Sequence, residues 1–244
     1  KDALWSYHPQ VIKRNNEYFL FYTGKSLGWG INHHLLLARS KDFLNWKKIK
    51  KPILNVGTDN EWDCDFLAHG YIFEENNKYY MFYDGSTKNN WLEEIGLAES
   101  RDLINWKKYK NNPIFKITGN WWGKRHVSRC FLFKEKNVYY LYYAGHDGER
   151  ERIGLTYGKN IYNLSNRLKS PVLDIGKKSE WDEKTISDPR ILKYKSNYLM
   201  FYSGMNLNGN EQTGIAISNN LIDWKKFSQN PILSAGRSSF FCDN

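Results

Sequence analysis

An aromatic run closing on glycine recurs four times along the chain at almost constant spacing. YFLFYTG ends at Gly24, YYMFYDG at Gly85, YYLYYAG at Gly145 and YLMFYSG at Gly204, so the unit advances by 61, 60 and 59 residues. A period of this length marks stacked supersecondary units, each too small to bury its apolar faces alone. Sixteen residues before each glycine stand His8, His69, Arg129 and Asp188, each opening a short apolar segment: HPQVI, HGYIF, RCFLF and DPRIL. That segment and the aromatic run, joined by polar turns such as RNNE, EENNK and KEKN, read as a hairpin. A variable loop follows, then a third strand ending in ARS, AES, TYG or AIS, then a fourth opened by NW, NW, NL or DW.

Four strands per unit is a propeller blade, and the fold class expected is an all-β β-propeller. The blades run over about 8–54, 69–115, 129–173 and 188–233, within a single domain of 1–244. Each closes on a proline segment (KPIL, NPIF, SPVL, NPIL), suited to an outer strand that can lose a backbone donor. The linkers carry Trp62, Trp122 and Trp181, seven residues before the next first strand, and Phe241 aligns with them in the linker 234–244. A fifth first strand is therefore expected near position 248, with a closed four-bladed ring as the competing reading.

Composition narrows the function classes. Aromatic residues make up 16% of the chain, which suits strands and a packed core. No run of eighteen apolar residues is present, so no membrane-spanning helix is expected. The net charge of +10 comes from lysines scattered among asparagines in turns, without a compact basic stripe, so nucleic acid is not an expected partner. Cys64, Cys130 and Cys242 have no metal-ligand spacing and read as isolated thiols. The chain begins at Lys1 rather than Met, which leaves localisation open, and nothing in it specifies an oligomeric state.

The order of hairpin, aromatic strand ending YxG, third strand with A-x-S-x-D, and N-W resembles the five-bladed propellers of glycoside hydrolase family 43. It is similar also to the invertase-like family 32 and the mannoside phosphorylases of family 130. The resemblance implies that the first strand of each blade lines a central pocket, with carboxylates at its start acting as base or nucleophile, acid and acid-tuning group. Asp188 in SDPRIL matches the D-P signature, and Arg190 resembles the D-P-R form of the phosphorylases. The other equivalents differ: His8 keeps the proline, His69 precedes glycine and Arg129 brings a fixed charge.

Asp188, His8 and His69 are thus the candidate catalytic residues, because a carboxylate and two imidazoles supply proton exchange near neutrality. Arg129 is a candidate for gripping an acidic sugar group or pairing with Asp188. Asp84 stands where the other repeats have Thr23, Ala144 and Ser203, and that break makes it a pocket candidate. Trp29, Trp91 and Trp121 fall outside the repeat and could stack on sugar faces, and Glu94 just before the third strand could be a pocket acid. Asp63 and Asp182, in EWD, occupy a repeat position and read as structural. No cofactor and no resident metal are expected, a His/His/Asp site being the minor alternative. The function expected is a glycoside hydrolase-like enzyme or related phosphorylase acting on an oligosaccharide or glycoconjugate, and the alternative is a non-catalytic glycan-binding propeller.

Overall fold

The computed structural model describes residues 5–25, 33–87, 90–116 and 122–234. They form four antiparallel four-stranded sheets, the blades of a β-propeller fold, each a simple meander in chain order. Blade 1 comprises β1 (Trp5–Arg14), β2 (Glu17–Lys25), β3 (His33–Ser40) and β4 (Lys47–Lys48). Blade 2 comprises β5 (Phe66–Glu75), β6 (Lys78–Thr87), β7 (Asn90–Ser100) and β8 (Lys107–Lys108). Blade 3 comprises β9 (His126–Glu135), β10 (Val138–His146), β11 (Glu151–Gly158) and β12 (Asn166–Arg167). Blade 4 comprises β13 (Thr185–Tyr194), β14 (Asn197–Met205), β15 (Glu211–Ser218) and β16 (Lys225–Lys226). In the first hairpins Asn15–Asn16 and Asn76–Asn77 all have φ between 47° and 59°. That left-handed pair matches the strand twist, and asparagine tolerates it.

The chain divides into two compact units: Lys1–Ile117 with His126–Cys130, and Thr118–Arg125 with Phe131–Asn244. In the first, Phe21, Leu37 and Leu54 of blade 1 share one core cluster with Ile72, Met81 and Tyr83 of blade 2. In the second, Tyr142, Leu155 and Leu173 of blade 3 meet Ile191, Met200 and Tyr202 of blade 4 in the same way. One face of each blade is therefore built to be covered, and the blade's closing residue reports on that cover. Leu54, Phe115 and Leu173 are each 4% exposed, whereas the equivalent Leu233 of blade 4 is 65% exposed. Leu173→Ala is expected to cost ~2–5 kcal/mol, as large-to-small changes in packed cores do. Leu233→Ala should stay within ~0.5 kcal/mol, as surface changes do. Chemical denaturation of the 244-residue chain checks the contrast, and equal losses would contradict it.

The linker tryptophans explain the blade glycines. A Cβ on Gly85 would stand 2.7 Å from Trp62, and one on Gly204 2.5 Å from Trp181, so only glycine admits the ring there. Beside each ring a buried acid is tied down. Tyr83 Oη donates to Asp63 at 2.9 Å and Lys108 pairs with it at 2.6 Å. Tyr202 and Lys226 do the same for Asp182 at 3.1 and 2.6 Å. These two carboxylates hold linker to blade. Cys64 and Cys130 are buried and not joined in a disulfide.

Candidate functional site

The residues sixteen positions before the blade glycines share one unusual backbone geometry. His8, His69, Arg129 and Asp188 have φ of 53°, 51°, 50° and 53°, in the left-handed region that non-glycine residues rarely adopt. Strand pairing shows why. Tyr7 pairs with Thr23 and Gln10 with Phe21, so His8 and Pro9 together oppose Tyr22. His69 with Gly70 opposes Tyr83 in the same way, and Asp188 with Pro189 opposes Tyr202. Each is a two-against-one bulge, a device that bends the strand and redirects a side chain. Holding a histidine, arginine or aspartate there costs about 1–3 kcal/mol per residue, and such strain concentrates at functional sites.

The bulged backbone N–H needs an acceptor, and the preceding blade provides it. His69 N donates to Thr23 Oγ1 at 3.0 Å, and Arg129 N donates to Asp84 Oδ2 at 2.9 Å. Both acceptors occupy the position just before a blade glycine. Asp84 thus inherits a structural task from its repeat position and adds a charge to it.

Around Asp84 the first unit gathers a cluster of titratable side chains. His69 Nδ1 lies 2.5 Å from Asp84 Oδ2, with the two side chains 9% and 0% exposed. Glu93, half-buried on β7, brings a carboxylate oxygen to within 4.8 Å of both. The His8 ring stands 4.1 Å from that of His69, nearly perpendicular to it. Tyr7 Oη and His33 Nδ1 share a hydrogen bond of 2.6 Å at the edge of the group.

Burial sets the protonation of this cluster. It pushes the Asp84 carboxyl up to about 8, against the pull of the Arg129 N–H and the charges of Arg129, His8 and His126. Glu93 is raised as well, by burial and then by the charge of Asp84. Burial lowers the His33 imidazole to about 4, helped by Lys25, His69 and His34. A carboxyl that holds its proton near neutrality, a second raised in the same direction and the neighbouring imidazoles together make an acid–base arrangement.

The family model for the glycosyl hydrolases family 32 N-terminal domain matches residues 5–164, and again 72–240. The chain belongs to this family. The two overlapping matches are offset by about one blade, as a repeating structure permits. A β-1,2-mannobiose phosphorylase of Thermoanaerobacter sp. (strain X514) is 29% identical over 112 residues, 40% of this chain and 36% of that protein. A 1,2-β-oligomannan phosphorylase of the same organism is 27% identical over 172 residues, covering 68% of this chain and 52% of that one. The chain thus spans between about a third and a half of these two relatives' length. Among solved structures, a thermostable family-43 glycoside hydrolase superposes with a TM-score of 0.73 at 23% identity, covering 93% of this chain and 73% of that one.

Within this family 32 domain the candidate residues fall into distinct groups. The first unit brings together His8, His69, Arg129 and Asp84. Asp188 lies in the second unit, half-buried at its own bulge, where Ser187 Oγ donates to its Oδ2 at 3.1 Å. The guanidinium of Arg190 lies 5.6 Å from the centre of the Phe131 ring and donates to Pro189 O at 2.8 Å, so it braces the Asp188 bulge. Trp29, Trp121 and the side chain of Trp91 lie outside the described residues. Glu93, rather than the expected Glu94, reaches the cluster, because successive residues of a strand point to opposite faces. Tyr7, His33 and His126 join it without having been singled out. The HH pair at 33–34 and the EE pair at 93–94 sit at the same repeat offset and were the available signal.

Proposed function

We propose that residues 1–244 act as one propeller domain of a glycoside hydrolase-like enzyme or related phosphorylase, working on an oligosaccharide or glycoconjugate at the bulged ends of the first strands. One observation carries this reading: the same strained left-handed backbone recurs at four equivalent positions, three of them at two-against-one bulges, and it is occupied by His, His, Arg and Asp. Strain kept at a repeat position where glycine would be easier is a feature held for the side chain. Asp188, in the second unit, is the carboxylate that matches the D-P signature. His8 exchanges the proton, and Arg129 orients an anionic or hydroxyl-rich group. The named activities of the relatives supply two versions of the reaction, attack by water and attack by phosphate.

The second reading is a glycan-binding propeller without turnover, favoured by three bulge positions that lack the carboxylate found at Asp188. A panel of chromogenic glycosides and β-1,2-linked mannosides, assayed with and without inorganic phosphate, separates the two. Turnover of at least one substrate is expected. Saturable binding on a glycan array, with no product formed under either condition, would replace the enzymatic reading by the binding one.

A further inference from the structure

We propose that His69, Asp84 and Glu93 form a binding site for one divalent cation of the zinc or manganese class. The inference stands apart from the glycoside reading, since it concerns occupancy rather than turnover. The three side chains come from β5, β6 and β7, adjacent strands of one blade, so their Cα positions are fixed by the sheet. Their ligand atoms all lie within 4.8 Å of one another. Donors around a four-coordinate ion at ~2.1 Å are separated by about 3.4 Å. His69 Nδ1 and Asp84 Oδ2, now 2.5 Å apart, have to part by about 0.9 Å to admit the ion between them, and the wider separations have to close toward the same spacing.

A second, independent feature points to a ligand at the same spot. Asp84 is fully buried, and its Oδ1 has no hydrogen-bond partner among the described residues. Its other oxygen is engaged by His69 and by the Arg129 N–H. A buried carboxylate oxygen left over in this way calls for a water or an ion. Two carboxylates balance a dication, and one imidazole with two carboxylate oxygens suits zinc or manganese, whereas calcium wants six to eight oxygens. The charges of Arg129, His8 and His126, all of which act on Asp84, oppose the ion and keep the affinity moderate. An ion at His69 also leaves His8 as the imidazole free of metal, consistent with the role given to it above.

The test uses the full 244-residue chain, stripped with chelator and titrated calorimetrically with zinc sulfate, manganese chloride and calcium chloride. One saturating ion per chain is expected for zinc or manganese, together with a rise in melting temperature. Glu93→Gln should weaken binding at least ~10-fold, the scale seen for lost metal-site interactions, and Asp84→Asn should do the same. Glu94→Gln, one residue along the strand, should bind as wild type does. Should Asp84→Asn fail to fold, Glu93→Gln and His69→Gln decide the matter. Lack of saturable zinc or manganese binding, binding indifferent to Glu93→Gln, or preference for calcium would each overturn the site.

Discussion

Between pH 6.5 and 8, metal-free protein is expected to lose about 2 kcal/mol of stability, and Asp84→Asn to abolish that slope. Burial raises the folded-state carboxyl of Asp84 to about 8 from an ordinary value of 3.8. A raised acid binds more protons in the native state than in the unfolded one. Its stabilising contribution is therefore complete below pH ~4 and is lost as pH climbs to ~8, at up to ~1.4 kcal/mol per pH unit. Glu93, also raised, acts in the same direction. His33, lowered to about 4, works oppositely: its contribution is present above pH ~6.5 and is lost as pH falls toward 4. The two effects offset each other below pH 6.5, so the Asp84 slope emerges above it. Asparagine can place its amide oxygen where Asp84 Oδ2 accepts from Arg129 N–H, while removing the charge. Guanidinium denaturation at pH 6.5, 7.5 and 8.5 in the presence of chelator measures the effect. A flat wild-type profile, or an equal slope in Asp84→Asn, would refute the assignment.

The largest effect on chemistry is expected at the bulges themselves. Asp188→Asn should lower turnover at least ~10²-fold with the fold kept, because the amide is nearly isosteric and a bulge requires no charge. His8→Ala should match that loss and remove one limb of the pH–rate profile if its imidazole exchanges the proton. His69→Ala should lower turnover through the cluster it organises with Asp84, without removing a limb. Near wild-type turnover in Asp188→Asn would end the claim for that carboxylate. Unchanged turnover per folded molecule in His8→Ala, with lowered stability, would make the histidine a packing residue.

The fold was legible because its determinants are local and repeated. Alternation along YYMFYDG, paired asparagines in the turns and a tryptophan seven residues before His69, Arg129 and Asp188 all act over a few residues, so they survive as patterns in the text. The four-stranded blades and the structural roles of Asp63 and Asp182 followed from them. Glu94 reads as a pocket acid from its place just before the third strand, and only the pleat of β7 brings its neighbour Glu93 to His69 and Asp84.

The sequence by itself determined the blades, their order and the four chemistry-bearing positions sixteen residues before the blade glycines. Tertiary structure decided what those positions are. No residue pattern announces a left-handed histidine or arginine, since glycine and asparagine are the residues that advertise that geometry. At two of these positions an acceptor on the neighbouring blade, Thr23 Oγ1 for His69 and Asp84 Oδ2 for Arg129, takes the backbone N–H of a residue 46 and 45 positions away in the chain. Tertiary structure also decides that Asp84 holds a proton near neutrality. Its charge is penalised by a burial that neighbouring strands create, which is a property of their packing and not of the letters around position 84.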